Sequence, residues 1–160
     1  MSLFRFSARK PFALAVLFCL STALLLTGCG MGGDFVDTGF IPVGEWADSY
    51  GGSYTITNTI VEFNSGYGEI FNSYIKEAVD FSHNAGVILV QITTSSTAGQ
   101  AGKFIGVYYK GYTPFHVFLA NAIDASYNII VKNTLAEAKN TFTVDNVETH
   151  VTYWGSGYNK

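Results

Sequence analysis

The side chains in this sequence that could hold a metal or move protons are three histidines and a scatter of carboxylates, and their spacing limits both readings. His83, His116 and His150 stand far apart in sequence. Asp80-x-x-His83 and Glu148-x-His150 each offer two ligands, and the second pair shares a face if extended, because strand side chains repeat every two residues. A zinc site needs three or four converging ligands. No spacing here supplies the third, so neither a metal nor a cofactor is expected. Glu77 is the one acid expected on an apolar face. Facing into a cavity it would orient a ligand; at a barrel mouth it would be hydrated. The cost of burying an unpaired carboxylate favours the hydrated version.

Nucleophilic catalysis has no support. There is no Gly-x-Ser-x-Gly elbow, and Ser95-Ser96-Thr97 reads as a turn. Gly99-x-x-Gly102-Lys103 lacks the spacing of a phosphate loop and has Phe104 where a Ser or Thr belongs. No catalytic residue is assigned, and the chain is read as a non-enzyme.

The aromatic side chains are the stronger signal. Tyr108, Tyr109, Tyr112, Phe115 and Phe118 gather around one hairpin. Ligand-binding candidates are Trp46, Tyr74, Glu77, Tyr108 and Tyr109. In a barrel alternate residues face inward, so one of Tyr108 and Tyr109 lines the interior and the other faces out. An aromatic interior can hold an apolar or flat ligand. The same rings can also fill a solid core, as in many small barrels, and the filled core is the favoured reading.

Strands must position these groups. Tyr54 and Ile56 alternate with Thr55 and Thr57; Thr59–Phe63 follows, then an Asn64-Ser65-Gly66 turn. Val87–Thr93 is the clearest strand, entered through His83-Asn84-Ala85-Gly86. Phe104–Tyr109, Phe115–Leu119 and His150–Trp154 complete the set. Short strands separated by turn residues point to a barrel or sandwich. Residues 70–82 fit either a strand face (Ile75, Glu77, Val79, Phe81) or a helical stripe; the hairpin into Val87 favours a strand. Thr134-Leu135-Ala136-Glu137 is a capping box, with the Thr hydroxyl accepting from the N3 amide and the Glu reaching back. It opens a short helix that ends near residues 140–142 and places Leu135, Ala138 and Phe142 on one face.

The N-terminus has a separate role. Three cations (Arg5, Arg9, Lys10) precede the 15-residue run Phe12–Leu26, and small residues follow. That is the layout of an export signal. It is short for a retained membrane span, which takes about 20 residues. Leu26-Thr27-Gly28-Cys29 resembles the lipobox of bacterial lipoproteins. The resemblance implies cleavage between Gly28 and Cys29 and acyl chains on Cys29, with ordinary secretion as the alternative. Gly30, rather than an Asp that would signal inner-membrane retention, leans toward the outer membrane. Residues 1–28 are thus expected to be a signal helix, 29–42 a flexible lipidated tether, and 43–160 the folded domain. After cleavage 132 residues remain, with 6 basic and 12 acidic side chains and no arginine. Arginine is the preferred fork for phosphate and base edges, so nucleic acid is excluded as a partner. Cys19 leaves with the signal and Cys29 is acylated, so stability must come from the core.

Gly44-Glu45-Trp46, opening the first strand, resembles the Gly-x-Trp start of lipocalin-like barrels. That group has about eight antiparallel strands and a late helix, with the Trp plugging one end. The group's basic residue over that Trp, usually an arginine from near the C-terminus, is not matched, since no arginine follows residue 28. The layout also resembles uncharacterised spirochaete lipoproteins, through Gly44-x-Trp46, Gly86-Val87-Ile88, Gly106–Lys110, Thr134–Ala138 and Trp154-Gly155. The resulting expectation is a small all-β antiparallel, lipocalin-like barrel held at the cell envelope by lipid. It would act as a binding module for a small apolar ligand or a protein partner; the alternative is a structural or adhesive component with a filled core.

Overall fold

A computed structural model describes residues 40–49 and 51–159. The chain divides into units Met1–Asp34 and Phe35–Lys160, and the described residues belong to the second. The expected signal helix, Gly28, Cys29 and the tether through residue 39 lie outside the described residues.

Eight antiparallel strands close into a barrel in simple up-and-down order. They are β1 Gly44–Ala47, β2 Ser53–Ile56, β3 Ile60–Asn64, β4 Ile70–Ser82, β5 Ala85–Ser95, β6 Phe104–Thr113, β7 His116–Asn121 and β8 Gly155–Asn159. The last strand pairs with both β7 and β1, so no edge is left open. Between β7 and β8 lies a helical arm: α1 Leu135–Thr141, a 3-10 turn Val144–Asn146 and α2 Val147–His150.

The turns follow from their residues. Asp48 accepts from the Gly52 amide at 2.8 Å, closing the β1–β2 loop. Thr57 Oγ1 accepts from the amides of Thr59 and Ile60, and Asn64 Oδ1 from Gly66, whose φ is +76°. The capping box forms as the sequence predicts: Thr134 Oγ1 accepts from Glu137 N at 3.1 Å, and Glu137 Oε2 accepts from Thr134 N at 3.3 Å.

Two apolar clusters share the barrel wall. The interior holds Trp46, Ile56, Val61, Phe71, Ile75, Ile88, Val90, Ile92, Ile105, Val107, Tyr109, Val117 and Leu119 as one packed group. A second cluster lies outside the wall, where Val87 and Leu89 of β5 and Tyr108 of β6 meet Ala138, Phe142 and Val151 of the arm. Strand β5 is therefore covered on both faces, which accounts for its unbroken Val87-Ile88-Leu89-Val90 run. Beyond the arm the outer wall carries exposed Glu62, Asn72 and Tyr74. Among the described residues no helix is long and apolar enough to cross a membrane.

The structure corrects two sequence expectations. His150–Trp154 is not the closing strand: Val147 and Val151 lie four apart on a helical turn and set their side chains against the outer wall. The closing strand is instead Gly155-Ser156-Gly157-Tyr158-Asn159, where small residues permit close approach. A Cβ on Gly157 would stand 2.9 Å from Trp46 Cβ. Residues 70–82 do form a strand, but not with one continuous face. A register shift between Ile75 and Glu77 inserts an extra residue, as a β-bulge does. Ile75 points in opposite Val90, whereas Glu77 sits opposite Leu89 on the outer face.

Candidate functional site

The five ligand-binding candidates separate once the barrel closes. Trp46 and Tyr109 are buried in the interior, Tyr108 is buried outside the wall beneath the arm, and Glu77 and Tyr74 face outward. Glu77 pairs with Lys139 of α1 at 2.6 Å, so it ties the arm to the wall rather than orienting an interior ligand. Tyr74 is exposed, with Lys76 as its neighbour. The expected split between Tyr108 and Tyr109 is present, but the five do not line one cavity.

One end of the barrel is plugged. Trp46 Nε1 donates to the Pro42 carbonyl at 2.9 Å, holding the lead-in across the opening. The indole folds back over Gly44, where an added Cβ would lie 3.0 Å from the ring; this is the local reason for glycine two residues before the tryptophan. Phe40 packs against Tyr112 with the rings tilted and centroids 4.6 Å apart. Its amide donates to both oxygens of Asp80, at 3.0 and 3.1 Å. The single Tyr109 hydroxyl proton is within reach of two acceptors, the Phe40 carbonyl at 2.8 Å and Asp80 Oδ1 at 2.7 Å. Burial, then the Asp80 carboxylate, push the Tyr109 phenol well above its ordinary range, so it stays a donor. Gly86 makes the clamp possible, since a Cβ there would meet the Val79 carbonyl at 2.4 Å and Tyr109 Oη at 2.5 Å.

The opposite end is partly open. A pocket of about 200 Å³ there is lined by Asp48, Tyr54, Phe63, Glu69, Asn121 and Tyr153 among others. Tyr54 and Phe63 of its lining have centroids 4.8 Å apart, and Phe63 packs in turn on the fully buried Phe71 at 5.1 Å. Burial raises the Tyr54 phenol far above its ordinary value, against a backbone hydrogen bond from Asn121, and the nearby charges of Asp48 and Glu69 add to the rise. Desolvation also raises the Glu69 carboxyl, opposed by hydrogen bonds from Gln100 and Thr97. On the rim Tyr153 stacks on Tyr127 at 6.1 Å.

A larger opening lies outside the wall. A groove of about 660 Å³ runs between β4–β6 and the arm, lined by Phe81, Tyr108, Val144, Val147, Val151 and Trp154. Lys110 stands over the Trp154 ring at 4.1 Å, and Glu148 also lines the groove. Tyr108 Oη lies 3.4 Å from His150 Nδ1. Burial, then the Lys132 charge, hold the His150 ring below its ordinary pKa, so its neutral form is favoured at neutral pH. A neighbouring hollow of about 410 Å³ shares Phe81 and Val144 and reaches Glu77 and Lys139.

Among the described residues no three His, Cys, Asp or Glu side chains gather as a metal site. His83, His116 and His150 stay apart, with His116 bonded to Ser156 Oγ at 2.7 Å. Sequence reasoning missed the groove because its lining joins β4, β5 and β6 to a segment expected to be strand. The signal that would have found it is the Val147, Val151 spacing beside Trp154. No family model, curated protein or solved structure matches the chain.

Proposed function

We propose that this chain is a lipid-anchored envelope protein that binds a small apolar ligand on the outside of its barrel, without catalysis. Cys29, behind a basic, apolar and small-residue leader, supports the anchor: acyl chains hold by about 0.8 kcal/mol per buried methylene. The closed barrel and the Gly44-x-Trp46 packing support a lipocalin-like outline. The observation that carries the binding reading is the contrast between a filled interior and an open groove walled by apolar and aromatic side chains. Its volume falls in the range of small-molecule sites. Lys110 at the edge suits a ligand with a single anionic head, such as a fatty acid. A structural role in the envelope is the second reading, favoured by the same filled interior.

Photo-crosslinking of the membrane-held chain with a diazirine-bearing palmitate distinguishes the two. The label is expected on peptides spanning residues 144–154. Val147→Asp is expected to reduce it at least tenfold, since a carboxylate is costly to desolvate against an acyl chain. Tyr74→Ala, on the wall away from the groove, should leave it unchanged. Equal labelling of Val147→Asp and the unaltered chain would refute the groove.

A further inference from the structure

Alternate turns of an up-and-down barrel share an end, so the end plugged by Trp46 carries the turns 57–59, 83–84 and 114–115. We propose that this end is a docking face for an anionic lipid surface, with Phe115 as the side chain that enters it. The proposal rests on the lipid-anchor reading and is independent of what the outer groove binds. Phe115, at the β6–β7 turn, is 78% exposed, yet its backbone is fastened. Its amide donates to Thr113 Oγ1 at 3.4 Å, its carbonyl accepts from the Asn159 amide at 3.2 Å, and Asn159 Nδ2 donates to the Pro114 carbonyl at 3.1 Å. A tied turn thus holds an apolar ring out in water. Exposed Phe40 packs against Tyr112 of the same hairpin, and exposed Tyr158 pairs with His116 beside the turn. Contiguous exposed apolar side chains mark protein or membrane contact sites.

Exposed rings alone do not choose the end, since Tyr67, Tyr127 and Tyr153 are exposed at the other. Charge and connectivity do. The turns of the plugged end read Thr57-Asn58-Thr59, His83-Asn84 and Pro114-Phe115, without a carboxylate. The acids toward this end are Glu45, on the wall of β1, and Asp80, whose oxygens accept from the Phe40 amide and the Tyr109 hydroxyl. Lys110 is exposed on the outer face of β6 toward the same end. The loops of the opposite end carry Asp48, Glu69 and Asp124. An anionic lipid surface draws cations and repels carboxylates at short range, so it takes the plugged end. The chain also enters the barrel there: Phe40, held by Asp80, is eleven residues beyond Cys29 in sequence. Acyl chains on Cys29 therefore bring this end to the bilayer before the acidic one. Ser82, Ala85 and Gly86, which flank the 83–84 turn, line the outer groove, so a barrel seated this way opens that groove at the lipid surface.

The test places the native membrane-extracted chain in nanodiscs of phosphatidylcholine and phosphatidylglycerol that carry a headgroup spin-labelled lipid. NMR reads the paramagnetic relaxation of individual amides. The two ends stand roughly 20–30 Å apart, the length of the longer strands when tilted in a barrel, so relaxation at Phe115 and Asn84 is expected to exceed that at Tyr67 about tenfold. Passive tethering would also favour the near end, and Phe115→Ser separates the two cases. The side chain is exposed, so its removal leaves the fold intact. Docking predicts that the variant's relaxation at Asn84 falls toward the Tyr67 value, whereas passive tethering leaves it unchanged. Tyr67→Ser should alter neither. An unchanged Asn84 in Phe115→Ser, equal relaxation at the two ends, or none at either would overturn the docking face. Intact mass of the same sample reports acylation of Cys29 separately, so an acylated chain that fails the relaxation test refutes the face and not the anchor.

Discussion

Replacing Trp46 with alanine is expected to remove about 3–5 kcal/mol of folding stability, the usual loss when a large buried aromatic is truncated. The indole is 1% exposed, sits in the interior cluster and lies edge-on to Tyr112 with centroids 6.0 Å apart. Its N–H to the Pro42 carbonyl is the bond that closes the plugged end. Gly44 and Gly157 are shaped around it, so the neighbours cannot collapse into the space without backbone movement. Domains of this size hold only about 5–15 kcal/mol in total, so the melting temperature should fall by roughly 10–20 °C. Trp46→Phe should cost less, because most apolar area stays and chiefly the hydrogen bond is lost. Chemical denaturation measures both. A loss below about 1 kcal/mol for alanine would show that the interior is not organised around this ring.

Phe142→Ala is expected to cost a similar amount, about 3–5 kcal/mol, but with a different signature. Phe142 caps α1 and is 2% exposed. Its ring lies over Gly106, where an added Cβ would stand 2.7 Å away. It joins Ala138 and Val151 in the apolar cluster between the arm and the outer wall; the Glu77–Lys139 pair is partly exposed and worth little alone. Without the ring, the arm should open separately from the barrel, as weakly held segments do. In hydrogen exchange the amides of Ala138, Phe142 and Val151, bonded within the arm, should lose protection. Those of Ile88 and Val107 in the β5–β6 ladder should keep theirs. Uniform loss across both groups would mean that arm and barrel unfold as one unit.

The barrel was legible in the sequence because most strands carry local signals: alternation in Tyr54–Thr57, the apolar run of β5, and turn residues between them. The helix was legible because a capping box is written in four adjacent residues. Other features depend on contacts far apart in sequence. The bulge after Ile75 reverses which face Glu77 occupies, and simple alternation does not reveal it. Strand β8 is made of Gly, Ser, Tyr and Asn and has no β-branched signal; it forms because its glycines fit against Trp46 and the Leu119 carbonyl. Tyr109 was singled out from sequence, but its partners Phe40 and Asp80 lie 69 and 29 residues away. The groove needed the arm's position on the wall, which depends on Phe142 meeting Gly106.

The proposal rests most heavily on Cys29, because a tethered barrel meets ligands at a membrane and an untethered one does not. Intact-mass measurement of the native chain extracted from membranes tests this directly. The expected product begins at Cys29 and carries the added mass of acyl chains on that residue. A product with an unmodified thiol at Cys29, or with residues 1–28 still attached, would contradict it.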